Sequence, residues 1–345
     1  NGKCKFMKEY LASLKNGSHL SFEEMQSALH IILSPDTSQA CIGAFLMGLA
    51  QRGEISTEIA AAADFLRKHA TPIHAPENAV DCCGTGGDLR GTYNISTAAA
   101  LVIAACGIPM AKHGNKSASS KSGAADVLEA LGVPLQIPSE ILESTLQNLN
   151  FCFLMAPYHH QVLKPLSPIR KALGIPTIFN LLGPLANPAG TKTQLIGVYD
   201  KKWLKPMAEA LKTLGTKRAW VVHGKDGLDE ITLTDDTLVT QLHEDGSITN
   251  LVLSPSDFGL PACTHEELKG GDATYNAAAL TDVLNGTQNA YRNIVIANAA
   301  AVILLSQKAR DLKEAANIAA HAIDSGKAKQ VLEDYIKFTK GNIST

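Results

Sequence analysis

Up to about residue 70 the apolar positions recur at helical spacing, and this part of the chain reads as helices only. The first segment, 5–14, stops at Asn16-Gly17. Ser21-Phe22-Glu23-Glu24 is a capping box that opens a second helix ending near Ser34-Pro35. Asp36-Thr37-Ser38-Gln39 caps a third, which carries Ile42, Phe45, Leu46 and Leu49 at helical spacing. Ser56 opens a fourth, with Ile59, Ala63 and Leu66 on one face. These short helices hold more apolar surface than one small bundle hides easily. That surplus predicts a cleft cover or a subunit interface beside ordinary core packing. Thr71-Pro72-Ile73-His74-Ala75-Pro76 is a linker by composition.

Beyond the linker the pattern changes. Short apolar runs at 80–83, 108–111, 151–155, 194–199 and 219–223 have the length and flanks of buried strands. Helical runs at 98–106, 123–131, 141–149 and 203–214 separate them, and this alternation predicts a largely parallel sheet. Residues 238–242 and 248–253 alternate around Asp245-Gly246, a hairpin signal. From Thr274 the pattern is helical again, including 293–307 and 312–323. Residues 165–174 read as a short helix with proline at its start. Residues 175–188 read as irregular, with Gly183-Pro184 as a turn. The expected class is α/β: a small all-helical domain plus a large α/β domain with a mostly parallel central sheet.

Composition narrows the function. Of 345 residues, 45% are hydrophobic and 19% charged, which suits a well-buried α/β core. Lys+Arg of 31 against Asp+Glu of 33 leaves no basic excess, so no nucleic-acid partner is expected. The seven cysteines are odd in number and form no C-x-x-C pair. Most sit in apolar runs, as reduced core cysteines do in a cytoplasmic protein. No apolar run approaches the ~20 residues of a membrane span, no signal peptide is visible, and Met7 is a candidate natural start.

The candidate chemistry centres on 79–132. The run 80–83 ends in Gly84-Thr85-Gly86-Gly87-Asp88, three glycines in four positions followed by a carboxylate. Asn94-Ile95-Ser96-Thr97 then opens a helix. A strand, a glycine turn and a helix N-terminus together suit an anion. The plan repeats at a polar loop, 112–120, where Lys112, His113 and Asn115 stand beside Ser117, Ser119 and Ser120. Two phosphate-suited loops within one βαβ unit point to a ligand with two phosphorylated ends, although each loop alone also reads as an ordinary turn. Neither the Walker A pattern nor Gly-x-Gly-x-x-Gly is present. Asp229-Glu230, after a strand and a glycine turn, suits Mg2+ at a phosphorylated substrate or an acidic surface turn. Arg170 suits a bidentate grip on a carboxylate or a solvated helix position. Tyr158-His159-His160 lacks a third zinc ligand at a recognisable spacing, and no Gly-x-Ser-x-Gly occurs.

These motifs together resemble the anthranilate phosphoribosyltransferase family. The resemblance rests on Gly84 to Asp88, Asn94 to Thr97, Lys112-His113-Gly114-Asn115 with Ser119-Ser120, and Ala125 to Glu129. It continues through Arg170, the run from Thr177 to Pro188, and His223-Gly224 followed by Gly227-Leu228-Asp229-Glu230, in the family's order and spacing. It implies a fold of the nucleoside phosphorylase/phosphoribosyltransferase type. A helical domain would span 1–72 with a returning piece at about 165–186, and an α/β domain would span 73–164 and 187–345. It also implies a cytoplasmic homodimer joined through the helical domain. The implied reaction moves the phosphoribosyl group of 5-phosphoribosyl 1-diphosphate to the amine of anthranilate, with two Mg2+ ions, in tryptophan biosynthesis.

By the same resemblance Gly84, Gly87, Asp88, Thr92, Asn94, Ser96 and Thr97 would hold the phosphoribosyl diphosphate. Lys112, His113, Gly114, Asn115, Lys116, Ser117, Ala118, Ser119, Ser120 and Ala124 would complete that site. Gly84, Asn115 and Arg170 would bind anthranilate, and Ser96, Asp229 and Glu230 would be the metal ligands. Three positions depart from the family pattern: Lys116 stands where arginine is frequent, Ala124 where serine is, and Gln161 where proline is. A pyrimidine nucleoside phosphorylase is the nearest rival, but phosphorolysis needs neither a diphosphate-suited loop nor a paired carboxylate. A non-catalytic nucleic-acid binder on the same scaffold would need the basic face that the charge balance denies.

Overall fold

The computed structural model of the chain describes residues 2–117 and 121–342. Four helices open it: α1 (Gly2–Lys15), α2 (Phe22–Ile32), α3 (Gln39–Arg52) and α4 (Ser56–His69). Ser21 closes the capping box with Glu24, and the Ser38 hydroxyl accepts from the Cys41 N–H at the start of α3. The entry to α4 is held differently. Glu58 is fully buried and accepts from the N–H groups of Ile55 (3.1 Å) and Leu20 (2.8 Å) while it pairs with the Arg52 guanidinium. A carboxylate taken out of water this completely persists only with a counter-charge and filled lone pairs.

The sheet follows. Strand β1 (Val80–Gly84), α5 (Ile95–Ala105), β2 (Met110–Gly114), α6 (Ala124–Ala130), α7 (Ser139–Leu149) and β3 (Phe151–Met155) lead to a helical excursion. That excursion comprises α8 (Ala156–His159), a 3-10 segment (Gln161–Leu166), α9 (Ser167–Leu173), α10 (Phe179–Leu182) and a 3-10 turn (Gly183–Leu185). Then come β4 (Thr193–Gly197), α11 (Leu204–Thr213), β5 (Arg218–Gly224), β6 (Thr237–Leu242) and β7 (Ile248–Leu253). The chain finishes through α12 (Ala273–Leu284), α13 (Ala290–Leu305), α14 (Leu312–Asp324) and α15 (Lys327–Asn342). The seven strands lie in the order β3-β2-β1-β4-β5-β6-β7. The pairings from β3 to β5 are parallel, and β6 and β7 add an antiparallel edge. The chain builds outward from β1 to β2 and β3, then returns to β4 on the other side. The crevice at the carboxyl ends of β1 and β4 is therefore a topological switch point, where open α/β sheets bind ligands.

Alternation along the strands divides two cores. Val80, Cys82, Leu195, Trp220 and Val222 join one apolar cluster with α5, α13, α14 and α15. Ile196, Val198, Ala219 and Val221 face the other way, into a second cluster with α1 to α4, α10 and α11. The apolar surplus of the first four helices is thus spent partly on the chain itself: α4 packs on α11, and Arg67 Nε donates to Leu185 O at 2.6 Å. Among the described residues no helix is long and apolar enough to cross a membrane. Cys41, Cys82, Cys83, Cys106, Cys152 and Cys263 are free thiols.

Several boundaries differ from the sequence pattern. The second strand is 110–114 rather than 108–111, because its register with β3 runs from Met110↔Phe151 to Gly114↔Met155. Pairing therefore draws Lys112 and His113 out of the expected loop and into a buried strand. Helix α5 begins at Ile95, so Ser96 and Thr97 lie in its first turn. The stretch expected to be irregular holds α10 and a 3-10 turn, and β4 ends at Gly197.

Replacing Glu58 by alanine leaves Arg52 buried without its anion. The expected cost is about 3–5 kcal/mol, read as a lower urea midpoint for loss of helical signal. A loss below about 1 kcal/mol would show that the pair is no more than a surface-type bridge.

Candidate active site at the switch point

The site starts from two glycines. Gly84 at the end of β1 pairs in register with Gly197 at the end of β4. A Cβ at Gly84 would stand 2.2 Å from Asp229 Oδ2, and one at Gly197 would stand 1.6 Å from the Asp229 carbonyl oxygen. The absent side chains open the gap into which Asp229 is laid. The turn beyond Gly84 then closes over this carboxylate: Gly86 N–H donates to Asp229 Oδ2 at 2.8 Å. Asp229 N–H in turn reaches Asp88 Oδ2 at 3.4 Å. Thr85 locks the turn to β4, its N–H donating to Gly197 O (2.9 Å) and its hydroxyl accepting from Tyr199 N–H (3.1 Å).

Asp229 and Glu230 leave β5 through a tight turn in which Gly224 N–H donates to Leu228 O at 2.9 Å. On the far side, buried Asn298 of α13 grips Ile231 from both ends, accepting its N–H (3.0 Å) and donating to its carbonyl (2.9 Å). The carboxylate pair is therefore pinned between a glycine turn and a helix. Glu230 lies near the backbone and hydroxyl of Ser96, which favour its ionised form. Lys112 Nζ donates to Ser96 Oγ (3.2 Å) and to Cys82 O (2.8 Å). Burial pushes Glu230 up to about 7 against the opposing pull of Lys112. Burial and the neighbouring Asp88 and Glu230 carboxylates hold Asp229 well above the usual range. Among the described residues no three His, Cys, Asp or Glu side chains close a metal cage. Two crowded carboxylates and a hydroxyl, hard oxygen donors short of positive charge, fit an ion that takes its other ligands from water and phosphate, as Mg2+ does.

The second loop is anchored from below. Asp126 Oδ2 accepts from Ser117 N–H (2.9 Å) and Gly123 N–H (2.8 Å), and Asn115 Oδ1 accepts from Lys116 N–H (2.7 Å). Lys116 turns outward to Glu129 at 2.9 Å. Ala124 lies against Gly114, where an added Cβ would come within 3.1 Å of the alanine methyl. Ala118, Ser119 and Ser120 lie outside the described residues.

The remaining candidates divide between this crevice and its surroundings. Gly87 and Asp88 lie on the first turn, and Thr92 bridges to Lys269. Thr97 is buried in the first turn of α5, and Asn94 spans to the second loop, its Nδ2 donating to Ser122 O at 3.1 Å. Lys112 is only 1% exposed and meets the site through Ser96 rather than through an open cleft. His113 faces the helical excursion, its Nδ1 on Gly183 O (2.9 Å) and its ring 5.2 Å from that of His160. Burial drives His113 down to about 3 and His160 to about 4, so both are neutral. Arg170 on α9 is steadied by Asn180 Oδ1 (3.4 Å) and the Phe179 ring (5.7 Å), and no carboxylate among the described residues pairs with it. Sequence reasoning missed Gly197 and Asn298, which shape and pin the Asp229 segment from distant parts of the chain. It also missed Asp81, fully buried and held by Asn187 Nδ2 at 2.8 Å. Only spatial neighbours distinguish these from other glycines, asparagines and aspartates.

The class is that of a two-domain glycosyl transferase. The family model for the glycosyl transferase helical bundle domain matches residues 8–70, and that for the α/β domain matches residues 76–329. The chain is 50% identical over 334 residues to anthranilate phosphoribosyltransferase of Parvibaculum lavamentivorans, covering 97% of this chain and 98% of that one. It superposes on the crystal structure of the Thermus thermophilus anthranilate phosphoribosyltransferase with a TM-score of 0.91 at 38% identity, covering 96% of this chain and 99% of the other. The Saccharomyces cerevisiae enzyme in complex with PRPP and Mg superposes with a TM-score of 0.90 at 31% identity, covering 97% and 98%. The chain belongs to the anthranilate phosphoribosyltransferase family.

Glu230 gives a signed pH dependence. Its folded pKa, about 7, lies above the ordinary 4.5, so the folded protein holds this proton more tightly than the unfolded chain does. Stability from this group is therefore full below 4.5 and is lost as pH rises to about 7. Glu230→Gln is expected to stabilise the metal-free protein at pH 8 by at least about 1 kcal/mol, with the gain shrinking toward pH 4. Equal effects at both pH values in thermal melts would contradict the assignment.

Proposed function

We propose that this chain transfers the phosphoribosyl group of 5-phosphoribosyl 1-diphosphate to the amine of anthranilate, as a step of L-tryptophan biosynthesis. The products are N-(5-phosphoribosyl)anthranilate and diphosphate. The observation that carries the reading is the crowded Asp229–Glu230 pair set between two glycines beneath the Gly84–Asp88 turn. A single inorganic phosphate would not call for such a pair, which disfavours a phosphorylase.

Gly84, Gly87, Asp88, Thr92, Asn94, Ser96 and Thr97 hold the donor on the first loop and the start of α5. The second loop, from Gly114 through Ser117 to the residues beyond it, takes the other phosphorylated end, with Lys112 and His113 behind it as support. Ser96, Asp229 and Glu230 would hold the metal, two Mg2+ ions in this proposal. Mg2+, when bound, neutralises charge on the departing diphosphate. The C1–O bond to diphosphate breaks as positive charge develops on the ribose, the amine nitrogen forms the new bond to C1, and the surplus N–H proton leaves to the departing diphosphate or to water. An aromatic amine is nucleophilic without a strong base, so the protein's share is positioning. Asn115 and Arg170 set the acceptor, Arg170 through a guanidinium that no carboxylate among the described residues neutralises. Residues 1–72 with 165–186 form one body and 73–164 with 187–345 the other, and their closure brings Arg170 toward the donor turn. The working form is a cytoplasmic homodimer joined through the helical body.

The test is anthranilate fluorescence. A fall that needs protein, phosphoribosyl diphosphate and Mg2+ together is the expected result. No fall at saturating donor would overturn the acceptor assignment, and phosphorolysis of uridine or thymidine would replace it with the rival. Arg170→Ala is expected to raise the KM for anthranilate about tenfold or more, the scale of a lost charge-assisted hydrogen bond, with donor KM nearly unchanged. An unchanged anthranilate KM would remove Arg170 from that role.

A further inference from the structure

We propose that Asn276, outside both ligand loops, is a positioning residue for the donor, acting through the side chain of Asn94; this rests on the donor site proposed above. The stretch from His265 to Asn276 laces the back of the first loop. Tyr93 N–H donates to Leu268 O (3.0 Å), Gly270 N–H donates to Gly91 O (2.8 Å), and Thr92 bridges to Lys269. The chain then enters α12, where Asn276 is 1% exposed. Its Oδ1 accepts from Gly271 N–H at 2.8 Å, which fixes which end of the amide is which. Its Nδ2 consequently donates to Asn94 Oδ1 at 2.9 Å. An amide oxygen only accepts and an amide nitrogen only donates, so the Asn94 amide is fixed in turn. Asn94 Nδ2 is thereby directed to Ser122 O, 3.1 Å away at the exit of the second loop. Tyr291 donates its hydroxyl to Asn94 O at 3.1 Å, and its ring stacks on Tyr93 at 4.4 Å.

The result is a directional chain: Gly271 orients Asn276, Asn276 orients Asn94, and Asn94 ties the first loop to the second. A ligand that spans both loops meets them already spaced, and the cost of ordering them is met in folding rather than in binding. Asn276→Asp separates this role from packing. Its carboxylate keeps the volume and the Gly271 bond, but it faces Asn94 Oδ1 with a second acceptor. The Asn94 amide must then turn over and present its oxygen to Ser122 O.

The experiment measures Mg2+-phosphoribosyl diphosphate binding by calorimetry and both KM values, for Asn276→Asp in the wild-type and Asn94→Ala backgrounds. In the wild-type background donor affinity is expected to fall about tenfold, with the KM for anthranilate within about twofold. In the Asn94→Ala background Asn276→Asp should add less than about twofold, because no amide remains to be oriented. Unchanged donor affinity, or an equal loss in both backgrounds, overturns the proposal. Should Asn276→Asp fail to fold, Asn276→Ala read in the same two backgrounds decides in the same way. If the wild-type protein itself binds no phosphoribosyl diphosphate, the donor site falls and this inference with it.

Discussion

The structure depends on one close approach. Asp229 sits where Gly84 and Gly197 leave no side chains, at the point where the sheet order reverses. No other residue type at either glycine leaves room for the 225–230 turn to reach the sheet. The Gly86 N–H that caps Asp229 Oδ2 and the Thr85 contacts to β4 hold the same junction from above. The approach of the turn and the position of the carboxylate are thus consequences of one steric allowance.

That allowance carries an electrostatic cost. Asp229 is buried and Glu230 half-buried beside it, both near Asp88, and Lys112 is the cation acting on Glu230. Lys112 does not touch either carboxylate directly. It holds Ser96 Oγ and offsets the charge of Glu230 through space. The arrangement leaves the carboxylates under-neutralised in the free protein, which is the condition in which a hard cation binds well.

The division of the sheet's two faces decides how the helical part relates to the crevice. One face is closed by α5, α13, α14 and α15, and α5 brings its N-terminus to the glycine turn. The other face is shared by α11 and the first four helices. Arg170 belongs to the helical excursion between β3 and β4, and His113 reaches from β2 to Gly183 of the same excursion. The excursion is therefore in contact with the sheet at a strand that also carries Lys112.

Local sequence determined the element types, the capping box at Ser21, the parallel alternation and the two glycine-and-helix loops, because periodicity and turn chemistry act over a few residues. It also placed Asp229-Glu230 after a strand, and motif order pointed to the family. Tertiary structure alone decided the rest. The register of β2 on β3 made Lys112 and His113 strand residues, since pairing with a neighbour some 40 residues away overrode their polarity. Whether Asp229-Glu230 was a surface turn or a pair set into the sheet depended on Gly197, whose meaning appears only when β4 lies beside β1. Asn298 and Asn276 meet partners 67 and 182 residues distant. A hydrogen bond is short-ranged in space and indifferent to separation along the chain, so its partners become known only once the chain is folded.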